Sequence, residues 1–196
     1  MKYPGNITAV SELLPDYMGF IFWEKSARFF DGELPEIPPS IKKVGVFVDA
    51  STEAIYAKIE KYQLDAIQLH GNESPDYCKA LQSNNIQVIK VFSVTDDFDF
   101  SILQPYEPVC DFFLFDTKGQ LPGGNGVVFN WELLAKYPSQ KPFFLSGGIG
   151  SDAIEKIKKL HVPVCAIDIN SKFETEPGLK DPQLIQTFQH HLKSQQ

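Results

Sequence analysis

Short apolar runs and amphipathic stretches alternate along almost the whole chain. At the start, Ile7, Val10 and Leu13/Leu14 recur at helical spacing, with Asn6 as the capping residue and Pro15 as the stop. No strand precedes that helix. Apolar strands are predicted at 17–22, 44–48, 66–69, 88–92, 112–115, 143–145 and 165–169. Between them, Ile55, Ile59 and Tyr62 mark a helix begun near Ser51-Thr52, and Ser74-Pro75 opens another that runs to about Gln82. A short helical piece falls near Asp99 to Leu103, and a brief one follows Trp131 as far as Lys136. Ala153, Ile154, Ile157 and Leu160 give the next helix its buried stripe, and Asp181-Pro182 caps a last one carrying Leu184, Ile185, Phe188 and Leu192. Residues 31 to 40, with Pro35, Pro38 and Pro39, exclude a long regular helix.

Seven strands, apolar on both faces and separated by helices or by loops that could hold one, define an α/β fold with a parallel sheet. A doubly wound open sheet and a (β/α)8 TIM barrel share this pattern. Polar residues after almost every strand favour the barrel, whose sites gather at the C-terminal strand ends. The barrel closes with eight strands, however, and the first helix here lacks the strand that should precede it. The 196 residues suffice for one sizeable core, so residues 1–196 are expected to form a single domain.

Composition narrows the function classes. Hydrophobic residues at 43% and charged residues at 22% are ordinary for a globular protein, and no apolar run approaches the roughly 20 residues of a membrane span. Met1-Lys2-Tyr3-Pro4-Gly5-Asn6 has no signal-peptide core, which makes a cytoplasmic location the expectation. A net charge of -7 without a Lys/Arg stripe argues against nucleic acid as a partner. Cys78, Cys110 and Cys165 are too widely spaced for a metal site or a disulfide framework and are expected to be reduced and mostly buried. Acidic residues show no metal-ligand grouping, and no HExxH, GxSxG or P-loop pattern occurs.

Candidate chemistry lies at the strand ends. Ser146-Gly147-Gly148-Ile149-Gly150 is either a tight turn or a phosphate loop, and Asp168-Ile169-Asn170-Ser171 after the last strand tips the balance to phosphate. Asp116 ends its strand among phenylalanines, where an apolar setting favours a protonated, proton-donating carboxyl; the alternative is a loop-turning Asp. Arg28 is placed to meet a carboxylate, or is a surface charge. His70 either faces the site or is satisfied by backbone. His161, His190 and His191 read as surface or tail residues.

These residues fall into a pattern that resembles the phosphoribosylanthranilate isomerase family along essentially the whole chain. The matching pieces are Gly19–Phe22 with Lys25-Ser26-Ala27-Arg28, Val44–Val48, Gln68-Leu69-His70-Gly71-Asn72-Glu73-Ser74 and Phe115-Asp116-Thr117-Lys118. Gly123-Gly124-Asn125-Gly126 with Phe129-Asn130-Trp131, Ser146-Gly147-Gly148, and Asp168–Ser171 with Pro177-Gly178-Leu179-Lys180-Asp181 complete it. The resemblance implies a (β/α)8 barrel and a cofactor-free Amadori rearrangement in tryptophan biosynthesis, on a small phosphoribosyl substrate, by a monomer or homodimer. It implies Asp116 as general acid, with Arg28, His70, Gly124 and Gly126 binding substrate. Gly147, Gly148, Asp168, Asn170 and Ser171 are implied in holding phosphate.

The departure is at the N-terminus. The family's first strand carries the general-base cysteine in a Lys-Ile/Val-Cys-Gly-Met type motif, and Met1 aligns with its closing methionine. None of the three cysteines matches that base. The expectation is therefore a barrel without its first strand, arising from a start at an internal methionine or from a natural loss, and impaired in turnover. A non-catalytic phosphosugar-binding protein on the same barrel is the alternative.

Overall fold

A computed structural model of the chain describes residues 1–82, 85–117 and 131–194. Seven parallel strands pair in strict sequence order: β1 (Tyr17–Ile21), β2 (Lys42–Phe47), β3 (Ala66–Leu69), β4 (Gln87–Val94), β5 (Phe112–Thr117), β6 (Phe143–Leu145) and β7 (Val164–Ile167). Helices α1 (Pro4–Ser11), α2 (Thr52–Tyr62), α3 (Pro75–Leu81), α4 (Ile154–Lys158) and α5 (Pro182–Lys193) accompany them, with 3-10 turns at Phe100–Tyr106 and Trp131–Lys136. The sheet curls into a (β/α)8-type barrel with one strand missing. Among the described residues no strand bridges β1 and β7, so the barrel is open along that seam.

Period-two alternation sorts side chains to the two faces of each strand. Val44, Ala66, Ile89, Val91, Leu114 and Phe144 form a small cluster inside the barrel. Phe113, Phe115, Phe47 and Ile67 belong to the larger cluster between sheet and helices. Continuing each inner row toward the carboxyl ends leads from Ala66 to Gln68 and His70, from Leu114 to Asp116, from Phe144 to Ser146 and from Ala166 to Asp168. Four strands, β3, β5, β6 and β7, thus deliver polar groups to one rim.

Local chemistry accounts for three of the helix starts. Ser51 Oγ accepts from the Ala54 N–H at α2, Ser74 Oγ from Tyr77 at α3, and Asp181 from Gln183 and Leu184 at α5. Several expectations need correction. Asn6 does not cap α1, which begins at Pro4 after Tyr3; proline suits a first helical turn, and this frees the Asn6 amide for Lys180. β5 continues through Asp116 to Thr117 because β4 extends to Val94 and supplies ladder partners, Ser93 opposite Asp116. The segment after Gly150 is a 3-10 turn, Ser151–Ala153, leading into a short α4. Cys78 and Cys110 are buried, but Cys165 is exposed, because β7 is an edge of the sheet. An antiparallel hairpin, β8 (Glu174–Glu176) with β9 (Leu179–Lys180), was not anticipated.

Candidate functional site

The rim opens into a cavity of about 1720 Å³ lined by Arg28, His70, Asp116, Gly147, Gly148 and Asn170, among others. The seam between β1 and β7 enlarges it, and residues of both edge strands line it. At that seam the Met1 α-amino nitrogen donates to the Gly19 carbonyl at 2.7 Å, using an acceptor on the edge of β1 that faces away from β2. Burial, then the nearby Lys180 charge, pushes this amine down to about 5.

His70 and Asp116 meet across the cavity. His70 Nε2 lies 3.5 Å from Asp116 Oδ2, and both side chains are about one-third exposed, at 35% and 29%. Gln68 Nε2 approaches His70 Nδ1 at 3.4 Å. With Nδ1 accepting from that amide, the imidazole turns its Nε2–H toward Asp116. The turn that carries His70 is held from below. Glu73 accepts from the N–H groups of Asp49 and Gly71, and Lys90 Nζ donates to Glu73 and to the carbonyls of Leu69 and Gly71. A Cβ at Gly71 would collide with the Asp49 carboxylate and backbone nitrogen, which explains the glycine after His70.

On the opposite side, Gly147 and Gly148 both adopt positive φ, 88° and 64°, where a side chain is strained. Among the described residues their N–H groups donate to no backbone carbonyl, so both remain available to an anion. Ser146 Oγ donates to Asp168 Oδ2 at 3.1 Å. Burial raises the Asp168 carboxyl above the usual carboxylate range, against the opposing effects of Lys180 and Ser146. Asn170 accepts from Lys180 Nζ through Oδ1 at 2.6 Å, which leaves its amide nitrogen free to donate. Ser171 follows at the surface, opening a single 3-10 turn.

Arg28 is not a lone surface charge. Two successive turns after β1, Ser26 N–H to Trp23 and Phe29 N–H to Ser26, bring it to the cavity, where Glu174 takes its side edge. Nε lies 3.0 and 2.9 Å from the two oxygens, and Nη2 lies 2.7 Å from Oε2. Lys180 Nζ meets Glu174 Oε1 at 2.9 Å. Burial alone would raise Glu174, but the hydrogen bonds and charges of Arg28 and Lys180 outweigh it and hold the carboxyl below its ordinary range. Burial lowers Lys180, with Glu174 opposing.

Gly124 and Gly126 lie outside the described residues. The cysteines supply no base at this rim. Cys78 and Cys110 are buried away from the cavity, and the Cys165 thiol, donating to the Phe143 carbonyl at 3.3 Å, is pushed up to about 11 by desolvation. Among the described residues no group of three or more His, Cys, Asp or Glu is arranged to hold a metal. No helix among them is long and apolar enough to cross a membrane. Glu174 is a site residue that sequence reasoning did not single out, while Ser146 and Gln68 stood inside recognised stretches without a role of their own. Lys180 stood inside the quoted Pro177–Asp181 stretch without a role. For Gln68 the signal was available, as the inner-row position two before His70.

The family model for N-(5'phosphoribosyl)anthranilate (PRA) isomerase matches residues 3–191. N-(5'-phosphoribosyl)anthranilate isomerase of Phocaeicola vulgatus is 41% identical over 194 residues, covering 98% of this chain and 95% of that protein. The crystal structure of phosphoribosyl anthranilate isomerase from Thermotoga maritima superposes with a TM-score of 0.87 at 30% identity, covering 99% of this chain and 96% of that one. A phosphoribosyl anthranilate isomerase solved in complex with reduced 1-(o-carboxyphenylamino)-1-deoxyribulose 5-phosphate superposes with a TM-score of 0.82 at 28% identity, covering 99% and 95%.

Proposed function

The chain belongs to the N-(5'-phosphoribosyl)anthranilate isomerase family, and we propose that its rim binds N-(5'-phosphoribosyl)anthranilate in the cytoplasm and directs its Amadori rearrangement to 1-(o-carboxyphenylamino)-1-deoxyribulose 5-phosphate. The observation that carries this reading is convergence: the Asp116 carboxyl group, the Arg28 guanidinium and two open glycine N–H groups face one cavity from the ends of different strands and the turns that follow them.

In this reading Asp116 protonates the furanose ring oxygen, and the C1'–O bond breaks to leave a Schiff base. Removal of the C2' proton then gives an enolamine, which tautomerises to the ketone. His70, 3.5 Å away, steadies the Asp116 carboxylate once its proton has left. The Gly147 and Gly148 N–H groups, the Asn170 amide and the Ser171 hydroxyl grip the phosphate. Asp168, a carboxyl beside an anion site, serves by holding the Ser146 hydroxyl rather than by touching phosphate. Arg28 meets the ring carboxylate with its free edge.

A base for the C2' proton is not provided by Cys78, Cys110 or Cys165. Lacking a positioned base costs on the order of 10² to 10⁴ in rate, while binding depends on groups that are present. Titration of this chain with reduced 1-(o-carboxyphenylamino)-1-deoxyribulose 5-phosphate is expected to give one site per chain, displaced competitively by millimolar inorganic phosphate. Absence of binding, or binding that phosphate leaves untouched, refutes the reading.

A further inference from the structure

We propose that Glu174 is a positioning residue for Arg28, and that it thereby determines preference for a substrate bearing a carboxylate on its aromatic ring. The inference rests on the reading of Arg28 as the carboxylate ligand and adds what makes that ligand selective.

Arg28 reaches the cavity from a turn rather than from the sheet, so its long side chain has no ladder to orient it. Glu174 supplies the orientation. Its carboxylate, only 4% exposed, takes Nε and one hydrogen of Nη2 in a side-on fork. The end-on edge, Nη1 with the outer Nη2 hydrogen, is left for a second carboxylate, which matches the planar two-point geometry of a benzoate.

Glu174 is itself fixed. Lys180 Nζ and the Gly178 N–H both donate to Oε1, at 2.9 and 3.1 Å. The hairpin that carries it is fastened at its far strand, where Asn6 Nδ2 donates to the Lys180 carbonyl and Asn6 Oδ1 accepts the Lys180 N–H, each at 2.8 Å. At its tip, Gly178 has φ of 86°, and a Cβ there would press on the Lys2 side chain at 2.7 Å. An arginine held in this way loses little freedom when the ligand arrives. One carboxylate between two cations also leaves a net positive charge for the incoming anion.

Electrostatics and positioning predict opposite signs for Glu174→Gln. Removing the negative charge should strengthen the pull on any anion, whereas releasing Arg28 should weaken recognition of the ring carboxylate alone. Calorimetric titration of the whole chain uses two ligands, reduced 1-(o-carboxyphenylamino)-1-deoxyribulose 5-phosphate and its phenylamino counterpart without the carboxylate. The wild-type chain is expected to prefer the first. In Glu174→Gln that preference falls roughly tenfold, the lower end of what a hydrogen bond to a charged group contributes. Affinity for the carboxylate-free ligand should change less than about threefold, since that ligand makes no use of Arg28. In an Arg28→Ala background the same substitution has no further effect on the ratio.

Glu174→Asp keeps the charge beside Lys180 but withdraws it from the guanidinium. It gives the same directional loss and decides the question should the glutamine variant fail to fold. A wild-type chain without preference overturns the Arg28 reading and this inference with it. A wild-type preference that survives, or grows, in the Glu174 variants overturns this inference alone.

Discussion

Replacing Lys90 by methionine should be among the most damaging single changes to this protein. Lys90 projects from β4 with its side chain 3% exposed, and it faces Glu73, which is 2% exposed, at 3.0 Å. Its ammonium also donates to the carbonyls of Leu69, Gly71 and Val91 at 3.2, 2.8 and 3.3 Å. Methionine matches the stem and removes the charge, leaving a buried carboxylate with backbone donors but no counter-ion. Breaking a buried pair by removing one partner costs about 3–5 kcal/mol. At about 2–4 °C per kcal/mol for a chain of this size, the melting midpoint should fall by on the order of 6–20 °C.

Urea unfolding followed by circular dichroism reads the loss as a lower midpoint at unchanged slope. The double variant Lys90→Met/Glu73→Gln should be less destabilised than the two single variants summed, by more than about 1 kcal/mol, because the stranded charge has been removed. A cost for Lys90→Met below about 1 kcal/mol, the range of exposed pairs, would refute the reasoning. So would strict additivity in the double variant.

Three further expectations follow from the rim. Gly148→Ala forces a side chain into φ of 64° and should cost about 1–2 kcal/mol of stability, with weaker binding of inorganic phosphate; unchanged phosphate affinity would remove Gly148 from the anion site. Glu174, whose carboxyl titrates below its ordinary value, contributes stability that is fully present above the unfolded value of 4.5 and is lost as pH falls through the folded one. Urea midpoints measured from pH 6 down to 3 should therefore decline less steeply in Glu174→Gln than in the wild-type chain, and parallel declines would contradict the assignment. Gly71→Ala, whose methyl would meet the Asp49 carboxylate and backbone, should displace the His70 turn and lower affinity for the reduced product analogue along with stability; a variant as stable and as tight as wild type would refute that packing argument.

Much of this architecture was legible because it is written in local patterns. The parallel strands are largely apolar runs, and Ser51, Ser74 and Asp181 announce their helices by chemistry that operates within three residues. The delivery of Asp116 to a rim was likewise visible in a strand of phenylalanines that closes on a carboxylate. Interactions across long sequence separations were not legible. Glu174 stands 146 residues from Arg28, and Lys180 stands 174 from Asn6. Strands β8 and β9 are only three and two residues long and largely polar, so no alternation marks them. Lys90 sat in plain view inside an apolar run, but its partner Glu73 lies on another element, and only the folded turn brings the two charges together. Asn6 shows why a capping residue type is a weak guide beside a proline: Pro4 already serves the first turn of α1, and the amide is used to clasp the hairpin instead.

Under the proposed function one rim both binds the phosphoribosyl substrate and uses Asp116 as its acid. Turnover of N-(5'-phosphoribosyl)anthranilate and affinity for the reduced product analogue, measured on the same preparations of wild type and Asp116→Asn, test it most directly. The variant is expected to hold the analogue within about threefold of wild type while turnover falls on the order of 10²-fold or more from the wild-type level. Equal turnover in the two proteins, or loss of analogue binding in step with turnover, would contradict it.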